Sequence, residues 1–172
     1  MAQPKKIPKA KLVMAIMYSD RNILKQAMQM LNDDFGKVEF ESPSFDFNFT
    51  DYYEKEFGKD LKKLFIIFKE PVKREELVTI RIYTQEIEDK LKKEEQRTIN
   101  IDPGYLTKDN LIVASLKEQP YKIYLGKGVF AHMIFMFKKD DVTSFKHTFP
   151  DYQDNKDFFL KARRGLFQKR NI

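Results

Sequence analysis

The chain has 172 residues, a formal net charge of +6, two histidines and neither cysteine nor tryptophan. Domains usually hold roughly 100–200 residues, so one domain is expected over 1–172, with 1–10 a basic lead and 156–172 a basic terminal helix as appendages. Without cysteine there are no disulfides, thiolate metal sites or cysteine nucleophiles. No apolar run approaches the roughly 18 residues of a membrane span and no signal-peptide core opens the chain, so the expectation is a cytoplasmic protein with no membrane partner.

The charge is unevenly placed. Residues 1–11 carry four lysines and no acid, and 156–172 carry six basic residues against Asp157. The body between them is therefore mildly acidic. Basic ends attract anionic partners, RNA included, although solvated termini are the commoner reason for such runs.

In chain order, Leu12 to Tyr18 is a continuous apolar run of strand length and reads as a buried central strand. Asp20 or Ser19 caps a helix over about 21–34, with Leu24, Ala27, Met28, Leu31 and Phe35 on its apolar side and Gly36 as its stop. Val38 to Phe45 alternates as an edge strand interrupted by Pro43. An aromatic and acidic stretch follows, in which Thr50 or Asp51 caps a short helix ending at Gly58. Leu61 to Phe68 is a second apolar strand, and Leu77, Ile80, Thr84, Ile87 and Leu91 mark a helix within 73–94.

Arg97 to Ile101 is read as a strand that runs into a type II turn, Asp102-Pro103-Gly104-Tyr105, where proline fixes φ and glycine supplies a positive φ. Thr107 is then expected to cap a helix through about Lys117. Tyr121–Leu125 and Val129–Phe137 flank Gly126-Lys127-Gly128 as a hairpin. A short strand through Phe145, a break at Pro150-Asp151-Tyr152 and a final helix bearing Phe158, Phe159, Ala162 and Leu166 complete the chain. To Ile101 the order is β-α-β-β-α-β, so the fold class is α+β: a ferredoxin-like core with an antiparallel sheet, extended by a helix, a β-hairpin and a C-terminal helix.

Several chemistries are excluded. No glycine-lysine pair has the spacing or the following serine or threonine of a P-loop, and no dinucleotide fingerprint is present. Lys62 to Lys69 lacks the glycine and aromatic spacing of an RNA-recognition strand. His132 lies in an apolar strand and reads as a packed residue, while His147 has no carboxylate beside it in sequence. No metal centre is assigned, and the cofactor is unknown.

The acids carry more promise. Asp51, Asp102 and Asp151 each have tyrosines alongside, and carboxylates grouped with phenols can hold a cation or serve as acid and base. Each also reads plainly as a cap or turn residue, and only their convergence in space favours a site.

Lys11–Asp20, Phe49–Tyr53, Asn100–Leu106, Tyr124–Gly128 and Thr148–Tyr152 resemble the successive motifs of a prokaryotic family catalogued as domain of unknown function 4416. The resemblance spans nearly the whole chain and implies one compact domain with no established activity. The family pattern has tryptophan at His147 and more often an acid at His132, which implies that neither histidine carries a family-wide role.

The leading reading is a domain that binds a small-molecule or nucleotide-sized ligand, with or without catalysis. Its site is drawn from Asp51, Tyr52, Tyr53, Asp102, Tyr105, Tyr124, Asp151 and Tyr152, in loops where sites are usually mounted. Lys108 and Lys127 supply positive charge for an anionic ligand. The rival is an RNA-binding or protein-interaction module using the basic ends, and a third reading is a self-assembling scaffold.

Overall fold

The computed structural model describes residues 2–167. Strand β1 (Ala10–Tyr18) is buried along almost its whole length, because both of its faces are covered. Leu12, Met14, Ile16 and Tyr18 pack to one side, and Val13 and Ala15 to the other. Asp20 caps α1 (Arg21–Phe35) as expected, its Oδ1 accepting the Asn22 N–H at 2.7 Å. The stripe that α1 buries is Ile23, Ala27 and Leu31, with Leu24, Met28 and Phe35 half-buried beside it.

Strands β2 (Val38–Glu41), β3 (Phe45–Asp46) and β4 (Lys62–Val72) follow, with a 3-10 turn at Asp51–Tyr53 and the short α2 (Glu54–Phe57) between β3 and β4. Helix α3 (Leu77–Lys90) leads into β5 (Ile99–Leu106). These strands lie in the order β2-β4-β1-β5 with antiparallel neighbours. Helices α1 and α3 share one face, where Ala27, Leu31, Ile80 and Ile87 meet Leu12, Met14, Ile66 and Ile101.

Beyond β5 the structure corrects the sequence reading. There is no turn at Asp102-Pro103-Gly104, since β5 runs through it to Leu106, paired with β1 along its length. There is no helix over 107–117 either, but a sixth strand, β6 (Asn110–Ser115). The Thr107 hydroxyl accepts the N–H groups of Asp109 and Asn110 at 3.1 and 3.0 Å, which closes a β-turn with the same chemistry that caps a helix. Local sequence does not separate these two uses. The run Leu111-Ile112-Val113-Ala114, buried throughout, is what decides for a strand.

Gly104 has a structural role other than the one expected. A Cβ there would stand 2.3 Å from the Ile112 carbonyl oxygen and 3.1 Å from Val113 Cα. The glycine therefore admits the β6 backbone at close range, not a left-handed conformation. By contrast, Gly126-Lys127-Gly128 is the hairpin turn foreseen, with φ of 116°, 51° and 76°, between β7 (Ile123–Gly126) and β8 (Val129–Phe137).

The nine strands described form one antiparallel sheet, continuing β5-β6-β8-β7, with β9 (Val142–Ser144) on β8. Pro150 does not break a strand; it is the first residue of α4 (Pro150–Asp154), a position that needs no N–H. Helix α5 (Lys156–Phe167) covers the second face, setting Phe159, Leu160 and Ala162 against Val13, Ala15, Phe65 and Phe135. Lys169 and Arg170 of the expected terminal helix lie outside the described residues. Among those described, no helix is long and apolar enough to cross a membrane.

Candidate functional site

The site begins with a mismatch in strand length. β5 pairs with β1 over Ile99–Leu106, but with β6 only at Gly104–Leu106 against Leu111–Val113. Towards its N-terminal end, β5 therefore has a free edge facing β6. N–H groups two residues apart in a strand point to the same edge. On this one the Ile101 N–H is donated to Glu88 Oε1 at 2.7 Å, and Pro103, two residues on, has no N–H to satisfy. The proline thus suits a place where the ladder stops.

A cleft of ≈ 320 Å³ opens at this split, at the lower end of the roughly 300–1,000 Å³ usual for ligand sites. From the strands come Asp102, Val113, Ser115 and His132; from the 3-10 turn, Tyr52 and Tyr53. The segment after β6 adds Lys117, Tyr121 and Lys122, and Phe149 adds a further ring. Arg81 and Gln85 of α3 and Arg97 also line it.

An ordered chain of polar contacts forms one wall. Arg97 Nη2 donates to Glu88 Oε2 at 2.8 Å and to Asn100 Oδ1 at 2.7 Å, and Nη1 reaches Glu56 at 3.3 Å. Asn100 passes the chain on, its amide donating to Asp102 Oδ2 at 2.7 Å. Glu88 is wholly buried, with Arg81 Nη1 at 3.9 Å. Burial raises its carboxyl to about 7 in spite of the opposing Arg81 and Arg97 charges. Tyr53 is raised to about 12, first by burial and then by the Asp102 charge. Burial, followed by the Lys117 charge, lowers Lys122.

His132 is also completely buried. Its Nε2 stands 3.1 Å from the His147 carbonyl oxygen. A carbonyl only accepts, so the proton belongs on Nε2 and Nδ1 is left an acceptor. Nδ1 has no partner, and neither have the Nε atoms of Arg81 and Arg97. Burial holds the imidazole at about 4, hence neutral near pH 7. Around it, Tyr121 stacks on His147 at 4.4 Å and 6°, and Phe149 meets His132 edge-on at 4.7 Å.

Of the ten residues singled out in the sequence, the cleft gathers three: Tyr52, Tyr53 and Asp102. Asp51 faces a separate acidic hollow with Asp46, Glu54 and Asp60. Asp151 is buried against Lys63, with Oδ2 2.5 Å from Nζ, an ion pair by distance that lies off the hydrogen-bond direction. Tyr152 is core, packed on Phe65 and Phe159. Tyr105 is half-buried near Arg74. The Lys108 carbonyl accepts from Arg163, and Tyr124 and Lys127 belong to the exposed β7-β8 hairpin. Among the described residues no group of three or more His, Asp or Glu is placed to hold a metal ion.

Sequence reasoning passed over Arg81, Gln85, Glu88, Arg97 and Asn100. A signal existed: Arg81, Gln85 and Glu88 are spaced by four and three, a polar stripe adjoining the apolar one on α3. Part of the basic charge near the C-terminus is engaged within the fold. Within α5, Arg163 donates to the carbonyls of Lys108 and Lys139, and Lys156 pairs with Asp141 at 3.1 Å.

Comparison with curated proteins and with solved structures found no match. The family model described as Domain of unknown function (DUF4416) matches residues 8–165. That span runs from before β1 to within α5 and takes in every element that builds the cleft, so the chain belongs to the DUF4416 family.

Proposed function

We propose that this protein binds a small molecule with an acidic group and a flat or apolar portion in the cleft at the β5-β6 split. The observation that carries the reading is the set of unpartnered polar atoms on residues lining it: Arg81 Nε, Arg97 Nε and His132 Nδ1. Buried polar groups are almost always paired, and Arg81 and His132 are 4% and 0% exposed. The charges agree with the reading, since Arg81, Arg97, Lys117 and Lys122 line the cleft against Glu56 and Asp102. Tyr52, Tyr53, Tyr121 and Phe149 offer ring faces for the rest of the molecule. No reaction is assigned, although Asp102 and neutral His132 have acid-base chemistry. The order β2-β4-β1-β5, with α1 and α3 on one face, supports a ferredoxin-like reading of the first half, and the cleft falls at that half's junction with the added strands.

The test is a thermal-shift screen of small carboxylates, sugar phosphates and nucleotides on the wild type and on Asp102→Asn and Lys117→Gln. A ligand present at 100 times its Kd stabilises by about 2.7 kcal/mol. The expected result is a shift for an acidic compound that Lys117→Gln reduces and that Asp102→Asn, which removes an opposing charge, keeps or enlarges. If every shift is equal in all three proteins, the cleft is not the site.

A further inference from the structure

The proposal that the cleft takes an acidic molecule leaves open where the acidic group sits and what it displaces. Glu88 supplies the answer through its position. It comes from α3, is 0% exposed, and is the buried counter-ion of both cleft guanidiniums. Glu88 thus serves two arginines, Arg97 having Glu56 at 3.3 Å besides, and each arginine keeps an Nε without a partner.

We infer that the β5-β6 split is a receptor for one oxyanion, a carboxylate, phosphate or sulfate group held by Arg81 and Arg97, and that its binding drives a proton onto Glu88. This rests on the reading of the cleft as a site for an acidic molecule. An anion reaching the two guanidiniums comes close to the buried Glu88 carboxylate, and the repulsion between negative charges so placed favours protonation of Glu88. Glu88 relieves the conflict by taking a proton from solvent. The arginines then neutralise the ligand, and Glu88 Oε1 still accepts the Ile101 N–H.

The other charged groups around Glu88 are accounted for. Arg81 is on its own helix, Arg97 precedes β5, Asp102 lies on β5, and Glu56 on α2 reaches it through Arg97. Lys117 and Lys122 line the same cleft. With its carboxyl already raised to about 7, Glu88 is poised to change state near neutrality. Tyr53 at about 12 and His132 at about 4 keep their protonation from pH 6 to 8. His147, stacked on Tyr121, is the remaining imidazole and requires a control.

Sulfate is the suitable probe because its own charge is constant over this range. Isothermal titration of the full chain with sulfate at pH 6, 7 and 8, in buffers of differing ionisation enthalpy, should show proton uptake and up to about tenfold weaker binding at pH 8 than at pH 6. Glu88→Gln, which keeps an acceptor for Ile101, should bind with no pH dependence and no proton uptake, whereas His147→Gln should behave as wild type. If Glu88→Gln does not fold, a carbon NMR titration of the wild-type Glu88 carboxyl should show its midpoint rising with sulfate. Sulfate binding that is equal at pH 6 and 8, a dependence that survives in Glu88→Gln, or an unmoved midpoint overturns the coupling and leaves the site standing. No sulfate binding to wild type or Glu88→Gln at any pH overturns the coupling together with the anion-site reading.

Discussion

The Ile101 amide donates to the Glu88 carboxylate at 2.7 Å, on an edge of β5 where a neighbouring strand would normally supply the acceptor. A side chain from α3 thus takes the place of strand pairing, and β5 and β6 can part without leaving a backbone donor unpaired. The cleft opens beside that substitution.

Glu88 and His132 give stability opposite dependences on pH. Folding raises Glu88 from 4.5 to about 7, so the native state binds the extra proton between these values and stability falls as pH rises through them. Folding lowers His132 from 6.5 to about 4, so the unfolded state binds the extra proton and stability falls as pH drops through that window. Each slope is at most about 1.4 kcal/mol per pH unit, and the two oppose each other where the windows overlap. Urea unfolding from pH 4.5 to 7.5 should therefore show Glu88→Gln losing stability on acidification more steeply than wild type, and His132→Gln gaining it.

Gly104→Ala should be costly although φ at this position is ordinary. Its Cβ would meet the Ile112 carbonyl oxygen at 2.3 Å, and backbone cannot yield as a flexible side chain does. A loss of about 1–3 kcal/mol is expected from such overpacking, read as a lower urea midpoint. Pro103→Ala, at a buried position on the free edge, introduces an N–H with no strand to accept it and should cost about 1–3 kcal/mol.

The buried pair Lys63–Asp151 sits among the rings of Phe47, Phe65 and Tyr152. Lys63→Met alone leaves an uncompensated buried carboxylate and should cost about 3–5 kcal/mol. The double variant Lys63→Met with Asp151→Leu should recover most of that loss in the same unfolding measurement.

Tyr52 and Tyr124 are both exposed, at 64% and 61%, but only Tyr52 lines the cleft, with Lys117 Nζ 4.4 Å over its ring. Once the screen identifies a ligand, Tyr52→Ala should weaken it several-fold by removing a ring face from the cleft, in line with about 0.5–1.5 kcal/mol for an aromatic contact. Tyr124→Ala should leave titration calorimetry unchanged, and Tyr52→Ala should lower stability by only about 0.5–1 kcal/mol, the worth of its contact with Lys117.

What could be read in the sequence was what short-range periodicity encodes. The apolar runs of β1 and β4, the Asp20 cap, the α3 stripe and the Gly126-Lys127-Gly128 turn are each written within a few consecutive residues. Asp102, Tyr52 and Tyr53 stood out in the sequence as carboxylates and phenols, and all three line the cleft. Asp51 and Asp151 looked the same, yet one faces another hollow and the other is sealed against Lys63. Residue type carries no information on which way a side chain faces.

By itself the sequence determined the element order as far as Ile101, the α+β class and the absence of thiol and P-loop chemistry, because these depend on composition and on periods of two and 3.6 residues. Only the tertiary structure decided the rest. Asp102-Pro103-Gly104 has the composition of a turn, yet β1 on one side and the close approach of β6 on the other hold it extended. Thr107 has the chemistry of a helix cap, yet it closes a β-turn because Leu111–Ala114 finds its burial in the sheet. The same holds for the cleft, beside which Arg97 folds back to share the Glu88 carboxylate with Arg81 where β5 outlasts its ladder with β6. Strand pairing is a long-range contest for hydrogen bonds and buried area, and no local pattern records its outcome.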